Sequence, residues 1–117
     1  MTNTAIMLAN ALLKHHRAVC MPHEFRPPIT DRCLISYGNL CREAGTPGLE
    51  SVIGKFLQEV AIWCAENCYP PLNSLAVSTE TGTPAVSYDF APGCSRATWT
   101  VEVEDCITCG RYPQTAQ

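Results

Sequence analysis

The apolar positions Leu49, Val52, Ile53, Phe56, Leu57, Val60 and Cys64 recur at steps of three and four residues. That spacing keeps them on one side of a helix and predicts an amphipathic helix from Leu49 to about Asn67. Its opposite face carries Glu50, Lys55, Glu59 and Glu66, a net acidic set. Thr46-Pro47-Gly48 supplies a turn before it. Tyr69-Pro70-Pro71 stops it, because proline lacks the amide hydrogen that a helix interior uses. Upstream, Ser36 is placed to cap a short helix, and Gly45 to end it in a left-handed conformation. Further upstream, Thr4 to about Ala18 reads as a first helix, with Thr2 or Asn3 as its cap and Ile6, Ala9, Leu12 and Leu13 as its buried stripe.

The prolines at 22, 27 and 28 make Cys20 to Pro28 a loop, after which Thr30 or Asp31 can cap a segment holding Cys33 and Leu34. Beyond the long helix, Leu72 to Ser78 reads as a strand. Glu80 to Pro84 is turn chemistry, and Ala85 to Asp89 returns as a second strand, with the hairpin tip near Gly82. Trp99, Val101 and Val103 alternate like a strand, while Val101, Asp105 and Thr108 fit a helix. A short terminal helix beginning near Ala97 is the preferred reading, with Arg111 to Gln117 a loose tail. Helix, turn, longer helix and hairpin, in that order, predict an α+β, mainly α fold. It is a winged helix-turn-helix core over 35–90, with an N-terminal helix and Pro-rich loop over 1–34 and a C-terminal extension over 91–117.

The chain has 117 residues, 46% apolar and 16% charged, which suits one globular domain with a modest core. Net charge is −3. Proteins that grip DNA through phosphates show basic excess on at least one face, so mild acidity favours a protein or small-molecule partner over DNA. No apolar run reaches the ~20 residues of a membrane span. Asn3 and Asn10 interrupt the apolar N-terminal stretch, and the basic cluster Lys14 to Arg17 follows it, which is not the order of a secretion signal. The chain reads as cytoplasmic, and its eight cysteines as mostly reduced core thiols.

Some residues invite a chemical reading. Cys20-Met21-Pro22-His23 and Cys106-Ile107-Thr108-Cys109 are two metal-ligand spacings that together make a possible zinc set of Cys20, His23, Cys106 and Cys109. Neither pair has the glycine-containing knuckle of most zinc sites, so plain thiols are preferred and no cofactor is expected. Glu102, Glu104 and Asp105 read as a solvated acidic patch, and Lys14 to Arg17 as a solvated helix end. No Ser-His-Asp set, phosphate-binding glycine loop or His-Glu-x-x-His pattern is present.

Ile35-Ser36-Tyr37-Gly38-Asn39-Leu40-Cys41, Ala44-Gly45-Thr46-Pro47, Val52-Ile53-Gly54 and the Pro71 to Tyr88 stretch with its glycine turn occur in that order. In this the chain resembles the C-terminal domain of O6-alkylguanine-DNA alkyltransferases over residues 35–90. The resemblance implies a winged helix-turn-helix that flips a damaged base, with a tyrosine at Tyr37 pressing on a phosphate. The nucleophilic cysteine and its histidine in that family correspond to Leu72 and Asn73, and the arginine that fills the emptied base stack corresponds to Ser51. Leucine has no nucleophile and asparagine is no general base at neutral pH, so alkyl transfer at this position is ruled out. The functional expectation is a non-enzymatic binding module. It is a protein-interaction or inhibitor protein, of the kind phages and mobile elements direct at host defence complexes. The alternative is a DNA-binding protein of the alkyltransferase-like type. Contacts to partner or nucleic acid are expected from Tyr37, Ser51, Lys55, Leu72, Asn73 and Ser74.

Overall fold

The computed structural model describes residues 1–20 and 33–116. Most of the Pro-rich loop, the cap expected at Thr30 or Asp31, and His23 lie outside them. Helix α1 spans Asn3–Val19. Thr2 caps it, its hydroxyl accepting from the Ala5 N–H at 3.2 Å. The same residue's N–H and hydroxyl donate to the Glu59 carboxylate at 2.7 and 3.0 Å. Ala9, Leu12 and Leu13 are buried as expected, but Ile6 is only half-buried. Ala5, Leu8 and His16 complete the inward face instead.

Strand β1 (Ile35–Ser36) runs directly into α2 (Tyr37–Glu43). The Ser36 hydroxyl accepts from the Asn39 N–H at 3.2 Å, and Gly45 ends the helix at φ +76°. Both are the roles the sequence assigns them. A 3-10 turn (Glu50–Val52) leads into α3 (Ile53–Glu66). Ile53, Leu57, Val60, Ala61 and Cys64 form its buried stripe. The expected single helix from Leu49 is therefore two pieces, and Val52, 43% exposed, is outside the core.

The hairpin is not formed, and its two arms are corrected. Leu72–Leu75 is a 3-10 turn with all four side chains buried. Only Ala76–Val77 is extended, as β2, and it pairs in parallel with β1 in the register Ile35 to Ala76 and Ser36 to Val77. Parallel pairing needs a long crossover, which α2 and α3 supply. The Gly82 turn is present, with Ser78 N–H donating to Thr83 O and Gly82 N–H to Ser78 O, both at 2.9 Å. Its far arm, Val86–Phe90, is a 3-10 helix that buries Tyr88 and leaves Val86 and Phe90 outside. After a 3-10 turn at Arg96–Thr98, α4 covers Trp99–Thr108, the terminal helix expected from near Ala97.

The tail is also corrected: it is fastened, not loose. Tyr112 donates to Pro70 O at 2.5 Å, Arg111 to Cys68 O at 3.0 Å, and Arg17 to Gln114 O at 2.8 Å. Ala116 N–H donates to the Asn10 side chain at 2.6 Å. Leu8 and Leu12 of α1, Leu40 of α2, Leu57 and Val60 of α3, Leu72, Leu75 and Val103 of α4 share one core. Each such side chain contributes about 1.5–3 kcal/mol by leaving water. The architecture is mainly helical with a two-stranded parallel sheet. Among the described residues, no helix is long and apolar enough to cross a membrane.

Candidate binding groove

The start of α3 and the Val86–Phe90 segment approach each other closely because residue 54 is glycine. A Cβ there would stand 2.5 Å from Ser87 Oγ and 2.9 Å from Ser87 Cβ. Tyr37, the first residue of α2, braces the same junction, its hydroxyl accepting from the Ala85 N–H at 2.9 Å. Burial pushes that phenol above its ordinary pKa, so it stays protonated and keeps one O–H to donate. Outside the junction lies an open groove of about 330 Å³, walled by Glu50 to Lys55 on one side and by Tyr37, Ala85 and Ser87 on the other. Val52 is in its wall, and Val86 (55% exposed) and Phe90 (72% exposed) belong to the segment forming its far side. Large apolar side chains left in water near one another mark binding surfaces more often than scattered single ones do.

Behind the junction is a second space of about 10 Å³, lined by Tyr37, Gly54, Leu57, Asn73 and Tyr88 among others. It is the size of one water molecule, far below the ~300 Å³ at which small-molecule sites begin. Among the described residues Asn73 Oδ1 is buried without a hydrogen-bond partner, while its Nδ2 donates weakly to Cys94 Sγ at 3.7 Å. Ser74 Oγ likewise lacks a nitrogen or oxygen partner and abuts the Cys106 thiol.

The structure thus divides the six expected contact residues. Tyr37, Ser51 and Lys55 meet at the groove. Leu72, Asn73 and Ser74 are fully buried beneath it and present no surface. Ser87, Val86 and Phe90 were not singled out by sequence. Their alternation with Tyr88 suggests a strand face, and the 3-10 geometry breaks that face apart.

The acidic patch is corrected at Glu102. Its carboxylate accepts from Tyr88 at 2.7 Å, from the Ser95 N–H at 3.1 Å and from the Thr98 hydroxyl. Trp99 Nε1 donates to Ser74 O at 2.8 Å. Together these fix α4 against the 3-10 segments, so Glu102 is structural. Asp89 pairs with Arg96 at 2.9 Å, and Lys55 lies over the Phe56 ring at 5.0 Å.

For the zinc set, the Cys106 sulfur lies 3.3 Å from the Tyr112 hydroxyl oxygen, and the Cys109 sulfur accepts from the Arg111 N–H at 3.5 Å. Burial, reinforced by the Cys33 thiol, pushes Cys20 up to about 12, and burial also raises Cys106. Metal binding requires thiolates, so these surroundings oppose it. Among the described residues no three His, Cys, Asp or Glu are grouped to hold a metal ion. Compared with known protein families, curated proteins and solved structures, the chain matches none.

Proposed function

We propose that this chain is a non-enzymatic protein-interaction module, an inhibitor type of protein, that docks its partner in the groove beside α3. The frame is read as a winged helix whose wing is a 3-10 segment rather than a strand pair. The order β1, α2, turn, α3, β2 supports that reading. The observation that carries the function is the open groove in which Tyr37, Ser51 and Lys55 meet, with the exposed Val52 in its wall and the exposed Val86 between its lining residues Ala85 and Ser87. Desolvating apolar side chains of this size rewards a protein partner and gives a phosphate backbone nothing.

Charge supports the same choice over DNA. At the groove, Lys55 stands with Glu50, and Asp89 already neutralises Arg96. Each phosphate contact needs a cation to release a counterion, and this face has too few for the steep salt dependence of a DNA-binding protein. The water-sized space at Asn73 has no room for an extruded base, and Leu72 has no reactive atom to offer one. The test is a fluorescence-anisotropy titration of labelled duplex DNA at 50 and 200 mM salt. The reading predicts no saturable binding at micromolar protein. Micromolar binding that falls steeply with salt, and is weakened by Lys55→Ala, would reverse it in favour of DNA.

A further inference from the structure

We propose that the small space beneath the groove binds a single water molecule, held between the Tyr37 hydroxyl and Asn73 Oδ1, and that this water fastens α2 to the Leu72–Leu75 turn. Both residues line that space. Asn73 is 2% exposed, and its Oδ1 is buried without a hydrogen-bond partner among the described residues. Its other arm, Nδ2, is directed at Cys94 Sγ, which is outside the lining, so Oδ1 is the arm turned toward the space. Cys94 donates its own thiol hydrogen to Pro92 O at 3.5 Å and has none to give that oxygen. Tyr37 is the counterpart. Its hydroxyl oxygen accepts from the Ala85 N–H at 2.9 Å, and its hydrogen has no acceptor among the described residues.

An acceptor short of a donor and a donor short of an acceptor thus share one space, and a water molecule completes both. It accepts from the Tyr37 O–H and donates one hydrogen to Asn73 Oδ1. Its second hydrogen goes to Ser87 Oγ, which packs against Gly54 on the same lining. Three bonds of this kind are the usual complement of a buried water. The volume, about 10 Å³, admits one water and nothing larger. Cavities that stay dry have apolar walls, and this one is lined by a carboxamide and two hydroxyls. An amide oxygen buried without a donor costs more than immobilising one water, so occupation is the favourable state. With its one hydrogen committed inward, Tyr37 has no O–H to donate into the groove outside.

The experiment determines a crystal structure of the full chain at atomic resolution and measures oxygen-17 relaxation dispersion on the same protein in solution. The expected result is one ordered water within hydrogen-bond distance of both Tyr37 Oη and Asn73 Oδ1. In solution, Asn73→Leu should lower the count of long-lived waters by one, because leucine removes the acceptor and fills the site. Oxygen-17 reports water itself, so exchanging hydroxyl hydrogens cannot mimic the signal. Because the wild-type structure needs no variant, misfolding of Asn73→Leu leaves the test intact. No density at that position in a well-ordered site would overturn the proposal. So would Asn73 turned to place Oδ1 against the Cys94 thiol, or a protein donor bonded directly to Oδ1. An unchanged count of long-lived waters in a folded Asn73→Leu would overturn it as well.

Discussion

Gly54 sets the width of the junction beneath the groove. In a helix interior, glycine to alanine gains up to ~1 kcal/mol from reduced backbone freedom. Here the added methyl would overlap both Ser87 side-chain atoms, and overpacking of that kind costs ~1–3 kcal/mol. The steric loss wins, so Gly54→Ala should lower stability, and Gly54→Ala with Ser87→Gly should recover most of it. Urea denaturation of the two single variants and the pair gives the coupling directly. His16 has a different consequence. Its ring is buried, donates Nε2–H to Cys106 O at 2.8 Å and meets Tyr112 edge-on. Burial lowers its pKa below 6.5, with Cys106 O opposing and His15 and Arg17 adding to the fall. Below pH ~6.5 the unfolded chain therefore binds the extra proton first, and stability falls with pH until the folded-state pKa is passed. Thermal melts from pH 7.5 to 5 should show a declining midpoint, and His16→Gln should flatten the decline. A midpoint that rises on acidification would contradict this burial argument.

Among the elements, α1, α2 and α3 were legible because each is written in local terms, whereas the α4 segment carries strand alternation and helical spacing together. Leu8 to Leu13 and Ile53 to Cys64 repeat at helical spacing, Ser36 and Gly45 punctuate α2, and Ser95, whose hydroxyl accepts from the Ala97 N–H at 3.2 Å, starts the approach to α4. The hairpin was not legible because its signal is shared. A run such as Leu72 to Val77, buried on both sides, reads equally as strand or as turn, and its pairing partner β1 is far away in sequence. Ala85 to Asp89 has the alternation of a strand but no neighbour to complete a ladder. For the groove, Tyr37, Ser51 and Lys55 were reachable through the family resemblance, whereas Val86 and Phe90 depend on that 3-10 geometry. The tail is the other long-range element. Its Tyr112 hydroxyl bridges Pro70 O and the Cys106 sulfur, so Tyr112→Phe should cost ~1–2 kcal/mol by leaving the Pro70 carbonyl short of a partner. Ending the chain after Gly110 should cost more, and protease sensitivity at the C-terminal end of α1 should rise with it. No change in either measurement would mean the strap is dispensable.

At the scale of the whole molecule, one core joins α1, α2, α3, α4 and the tail, and the surface it leaves beside α3 is apolar and nearly charge-balanced. The positions that the sequence resemblance sets against a nucleophile and a base hold Leu72 and Asn73, both buried. On the proposed function, what the surface offers is contact area. The most direct measurement is affinity capture from the source cell on immobilised wild-type protein and on Val86→Ser, a surface change between two groove-lining residues expected to leave the melting midpoint unaltered, with the retained proteins quantified. The account predicts at least one protein held in stoichiometric amount by the wild type and lost from Val86→Ser. An identical set of proteins on both, with the variant folded, would contradict it.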